Sequence, residues 1–190
     1  MATKKECQNI VLSSAKKILI APYDATKLAN GTAKASATDI GFTSGNVTIT
    51  GAVEKNLVMV DQSATPVREI VTAVNLNLGI PTASITLANL ALALQVQFGV
   101  DGKASFLKEA YYSVWIESDG PKNDQGHNLQ REMLIEKVSF AGTGELAFSR
   151  TDIQNPTIEG KLIWCPDPEN PDYIGLSITE TDPDESQSAS

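Results

Sequence analysis

The stretch VREIVTAVNLNLGI, residues 67–80, alternates with a period of two over a length few strands reach. Its even positions carry Ile70, Val74, Leu76, Leu78 and Ile80. Its odd positions carry Glu69, Val71, Ala73, Asn75, Asn77 and Gly79. Such alternation predicts a strand with one buried face and one wet face. Strands usually run about five or six residues, and at about 3.3 Å per residue this one would span more than about 40 Å. A strand that long cannot remain a free edge without inviting aggregation. Closing a sheet removes its edges, but 190 residues hold too few long strands to close a wide barrel alone. Several copies, each giving a hairpin, could close a shared barrel around a watery interior.

The rest of the chain predicts a mainly β fold, a β-sandwich or barrel-like subunit with one flanking helix. A first strand or strand pair is expected over 10–21, ended by Pro22 and Asp24. Residues 24–38, without a large hydrophobe after Leu28, read as a surface loop or as an arm that orders only against a partner. Strands over 46–51 and 56–61 are expected to form a hairpin around Ala52-Val53-Glu54-Lys55. Between Ser84 and Val96 the period changes. Leu87, Leu90, Ala91 and Leu94 fall on one helical face, with Thr82 or Ser84 as the cap. Further strands are expected over 104–117, 131–140, 144–149, 157–164 and 173–178. Ile158, Leu162 and Trp164 should share a face, and 119–128 should be a polar loop. The expected organisation is an arm over 1–9, one domain over 10–179 and an acidic tail over 180–190.

Charge and chemistry narrow the function. The formal net charge is −8, and seven acids follow Lys161, after which no Lys or Arg occurs. The remaining 16 acids face 15 bases, with Lys4–Lys5 and Lys16–Lys17 the only adjacent basic pairs. That is not the basic patch a phosphate backbone requires. Cys7 and Cys165, far apart, fit two reduced thiols better than a scaffold or metal site. No apolar run is long enough to span a bilayer, and no long apolar signal core follows MATKKECQ; the expectation is a cytoplasmic origin and no membrane partner. The sole histidine, His127, sits in a polar loop and has no second His with which to build a metal site. Glu132 and Glu136 would share a strand face, better explained by solvation than by paired-acid chemistry. Asp119 and Asp124 do not match a calcium loop, and no phosphate-binding Gly motif occurs. Tyr111 and Trp115 share a strand parity, which suits core packing better than a sugar platform. The expectation is a protein that is not an enzyme, with no cofactor, metal or catalytic residue.

Three segments then carry a resemblance: TDIGFTSGNVTI (38–49), VDQSATPVREIVTAVNLNLGI (60–80) and TLANLALAL (86–94). With IEKVSFAGTGELAFSRTDIQNPTIEGKL (135–162), their order and spacing are similar to the major tail tube protein of tailed bacteriophages. The resemblance covers roughly residues 10–178 and rests on no sharp chemical motif. It implies hexameric rings that stack into a hollow tube, with an inner β-barrel shared between subunits. By that analogy strands 46–61 and 67–80 line the barrel. Glu69, Ala73, Asn75 and Asn77 would face the lumen, while Ile70, Val74, Leu76 and Leu78 face the core with Leu87, Leu90 and Leu94. The loops 24–38 and 119–128 would touch neighbouring subunits or rings. DNA would pass without specific binding, because a lumen free of Lys and Arg has nothing to hold it by counterion release. The implied partners are further copies, with sheath, tape-measure, baseplate and terminator proteins, in a virion tail assembled in a bacterial cytoplasm. The alternatives are a tube protein of a related contractile injection system, or a monomeric β-sandwich module binding carbohydrate or protein.

Overall fold

The computed structural model describes residues 15–58, 68–84, 86–101, 103–106, 110–122, 126–141, 157–165 and 173–182; the side chains at 53, 55, 57, 58, 69 and 71–73 fall outside this description. The fold is mainly β. The strands are β1 (Ala15–Pro22), β2 (Thr38–Asp39), β3 (Thr48–Val58), β4 (Arg68–Pro81), β5 (Val96–Phe98), β6 (Ala104–Phe106), β7 (Tyr112–Lys122), β8 (Asn128–Phe140), β9 (Thr157–Leu162) and β10 (Leu176–Thr181). The helices are α1 (Ala25–Ala29) and α2 (Leu87–Leu94), with a 3-10 turn at Lys34–Ser36.

Among the described residues, one antiparallel sheet runs β2-β1-β7-β8-β9-β4-β3, with β10 also paired to β8. β7 lies along one edge of β8. On the other edge β10 takes Gln130–Ile135 and β9 takes Val138–Phe140. The β9-β4-β3 portion curls back over the inner face, so Leu78, Ile80 and Ile158 pack in one core with Ile18, Ile20, Val114, Ile116 and Ile135. A β8 bulge within 135–138 bends the strand. Ser113, wholly buried, donates its hydroxyl to the Glu136 carbonyl there at 2.7 Å.

The residues 24–38 are not a loop awaiting a partner. Asp24 caps α1 by accepting from the Thr26 and Lys27 amides at 3.0 and 3.1 Å. Leu28, Ala33 and Ala37 then pack over Leu19, Ala21 and Trp115 on the outer face. This explains why Ile18 to Ala21 are all buried, the strand being covered on both faces.

Further expectations are corrected. The tetrapeptide Ala52–Lys55 is not a turn but the middle of β3, whose hairpin partner is β4. It lacks the Gly, Asn or Pro that a tight turn uses. α2 is capped by Thr86, whose hydroxyl accepts from the Asn89 amide at 3.1 Å. Its buried residues are Asn89 and Ala93, while Leu87 is 68% exposed and Leu90 and Leu94 are half-buried. The core-facing assignment thus fails for Leu87, because the Asn89 amide pins the helix by donating to Ile40 and Ser84 carbonyls at 2.9 and 2.8 Å. The 119–128 segment is mostly strand, β7 reaching Lys122 and β8 starting at Asn128. Trp164 lies beyond β9 and is 62% exposed, unlike Ile158 and Leu162. The expected strand 144–149, residues 1–14 and the acids after Asp182 lie outside the described residues.

Candidate assembly surface

The long predicted strand is β4, and it pairs with β3 along nearly its whole length, Thr48 opposite Gly79 and Val58 opposite Arg68. On its other edge β4 meets β9 only over Asn77–Pro81. Residues 68–76 therefore form, with β3, a two-stranded ribbon about 30 Å long beyond the body of the sheet. Among the described residues neither outer edge of this ribbon is paired, since β3 ends the sheet and β9 stops at Asn77.

Near the body, the two faces follow the alternation. Leu78 and Ile80 are buried and Leu76 packs against the core. Asn77 lies on the other face opposite Thr50 and Lys161, and Asn75 opposite Ala52. Asn75 donates to the Glu54 carboxylate at 3.1 Å, which fixes both on the polar face. Glu54, Thr50, Thr48, Asn77, Glu159 and Lys161 are exposed there. The side chains of Glu69 and Ala73 fall outside the described part; their backbones lie opposite Leu57 and Glu54.

The alternation breaks at one point. Glu54 pairs with Ala73 but Lys55 pairs with Val71, leaving Thr72 as an extra residue in β4. A bulge of one residue exchanges the faces of everything beyond it. Ile70, opposite Asn56, therefore joins the face of Glu54 and Asn75. It is 42% exposed, not in the core. Val74 stays on the Leu76 face, yet it is 52% exposed because it stands past the edge of the body. The assignment of Ile70 and Val74 to the core is corrected on these two separate grounds.

The two carboxylates flagged in β8 do not meet. Glu132 stands directly opposite Glu117, and Lys34 reaches both, at 2.7 Å to Glu117. Burial pushes the Lys34 ammonium down, but its hydrogen bonds to Glu117 and Glu132 outweigh this and leave it raised. Glu136, within the β8 bulge, instead accepts from the Tyr173 hydroxyl at 3.0 Å. Tyr23 shares a hydrogen bond of 3.3 Å with the Cys165 thiol. That bond and burial push Tyr23 up to about 12. Burial and the Glu136 contact push Tyr173 up to about 12 as well. Lys137 lies over the rings of Tyr111 and Tyr23, 4.4 and 5.1 Å from their centres. Trp115 is buried on the outer face, so Tyr111 and Trp115 form no exposed platform.

His127 is exposed beside the β7–β8 turn. Among the described residues no group of three His, Cys, Asp or Glu could hold a metal ion, and no helix is long and apolar enough to cross a membrane. Glu180, expected in the tail, is part of β10 and pairs with Arg131. Sequence reading passed over Arg131, although alternation in REMLI sets it in line with Met133 and Ile135, which point to the core.

No protein-family model matches the chain, and no curated protein sequence matches it. Among solved structures, an Hcp protein is similar at a TM-score of 0.31 and 10% identity, covering 77% of this chain and 87% of that one.

Proposed function

We propose that this chain is the structural protomer of a bacteriophage tail tube. Copies join through their β3–β4 ribbons into six-membered rings, and the rings stack into a tube that conducts DNA during ejection. The observation that carries this is the ribbon, whose two outer edges are unpaired among the described residues, with Ile70 and Val74 exposed on opposite faces. Edges of that length are what proteins ordinarily cover or pair, and a neighbouring ribbon supplies both backbone partners and apolar cover. The order of the segments 38–49, 60–80 and 86–94 supports the same reading through its resemblance to tail tube proteins.

In such a ring, Asn75 and Asn77 line the lumen with Ala73, beside Thr48 and Thr50; Glu69, expected there from the alternation, lies beyond the Thr72 bulge opposite Leu57 and so on the other face. That face mixes short polar side chains with Glu54, Glu159 and Lys161 and carries no clustered basic patch, so it offers a polyanion little to hold it by counterion release. The main partner is the chain itself; sheath, tape-measure, baseplate and terminator proteins would meet the tube in a virion tail assembled in the bacterial cytoplasm. A tube of a related contractile injection system would use the same ring, and passage of DNA separates the two.

Negative-stain microscopy and sedimentation of the wild-type chain at rising concentration should give rings or tubes. A strictly monomeric chain at every concentration and salt would overturn the proposal in favour of a monomeric binding module. Val74→Asp places a charge at an exposed site, so it should stay folded but form no rings. Asn75→Lys should assemble normally and slow DNA ejection; an unchanged rate would remove residue 75 from the lumen.

A further inference from the structure

Arg131 occupies a core position on the inner face, and its side chain is only 7% exposed. Its Nε and Nη2 both donate to one Glu180 oxygen, at 2.8 and 2.5 Å. Its Nη1 is buried with no acceptor. A guanidinium carries five donors, and a buried donor left unpaired destabilises. The group borders a cleft of about 560 Å³ between the first half of β3 and the opposite wall of the curl, lined among others by Val47, Ile49, Ile116, Met133 and Leu176. The cleft is a socket of ligand-pocket size, apolar along these side chains and polar at Asn46, Thr48, Thr50 and Ser118, none of which supplies the acceptor that Arg131 Nη1 lacks.

At the other end of the subunit stands a matching projection. β5 and β6 form a two-stranded hairpin outside the main sheet. Its turn presents Val100, fully exposed, next to Asp101, and Phe106 is 85% exposed behind them. Asp101 accepts from Lys103, at 3.0 Å from Nζ and 3.3 Å from the amide. Two carboxylate oxygens offer about four acceptor sites, so Lys103 does not exhaust them.

We infer that the Val100–Asp101 tip of one copy inserts into the Arg131 cleft of the next, Val100 filling the apolar part of the socket and Asp101 accepting from Arg131 Nη1. The two features lie at opposite ends of β1. Ala15 borders the socket, while Pro22 and Gly99 border the same groove beside α2. The intervening strand is about 23 Å long. A tip and a socket at opposite ends of one chain make a head-to-tail contact, which repeats indefinitely. This deepens the tube proposal, on which it rests, by assigning the contact between successive rings.

The test mixes two full-length variants, Val100→Cys and Met133→Cys, under mild oxidation. A disulfide-linked dimer should form in the mixture, above the background of each variant alone and of the wild type with its native thiols. Adding Asp101→Arg to the Val100→Cys chain should cut the yield about tenfold or more, the loss carried by one charge-assisted hydrogen bond. In microscopy, Asp101→Arg alone should give single rings that do not stack. Wild-type-like stacking in that variant, or no mixed dimer, overturns the inference while leaving ring formation intact. Absence of rings in the wild type with a mixed dimer still formed would instead sink the ring proposal and keep the tip-and-socket contact. Protection of Met133→Cys from alkylation by decanoate, without a mixed dimer, would assign the socket to a small carboxylate and overturn the inference.

Discussion

Single residues here are governed by who supplies the last hydrogen bond. Tyr23 leans on the Cys165 thiol and Tyr173 on Glu136, and both phenols are pushed up to about 12 from the ordinary 10.0. Above pH 10 the unfolded chain gives up these two protons and the folded chain keeps them. Stability therefore falls as pH rises from about 10 to about 12 and is unaffected by them below that window. Ultraviolet titration of the folded protein should show two late tyrosines, with Tyr23→Phe and Tyr173→Phe each removing one. If both ionise with the ordinary value, neither contact persists in solution. Asn89 teaches the same lesson for packing. A polar residue took the buried face of α2 because two stranded carbonyls, on Ile40 and Ser84, needed its donors.

The elements show where periodicity can be trusted. Period two correctly placed β4 over Arg68–Pro81 and its base residues Leu76 and Leu78, because the sheet holds their pleat. It failed at Ile70, because the extra residue Thr72 has no signature in sequence: a bulge is defined by the partner strand, not by the residue inserted. Deleting Thr72 should restore a continuous ladder and return Ile70 to the Val74 face. The subunit should melt as before, since the ribbon adds little to the core, while ring formation should be lost. Rings of normal yield in that deletion would show that the bulge plays no part in assembly. The arm 24–38 was legible as polar and breaker-rich, yet its small residues Ala33 and Ala37 gave no hint that they roof Trp115. Small apolar residues bury well in a flat interface but carry too weak a pattern to announce it.

At the scale of the whole molecule, a curled sheet with a closed core carries an unclosed ribbon. Local stability should follow that division, being lowest where backbone hydrogen bonds face water. In the monomer, amides of 50–58 and 68–76 should exchange fast and those of β1, β7 and β8 slowly. Assembly should protect the ribbon and leave the core unchanged. Ribbon amides already slow in a dilute monomer would mean its edges are covered within one chain.

The sequence by itself determined the strand-rich class, the long strand, one substantial helix near 86–94 and the lack of any motif for catalysis. Each rests on local pattern, which needs only neighbouring residues to be read. Tertiary structure alone decided which strand β3 would meet, how Thr72 turns over the ribbon tip, and that Arg131, which local alternation already sets in the core line, would keep one donor unmet. Those depend on pairing and burial between residues far apart in the chain, and no local period encodes a partner.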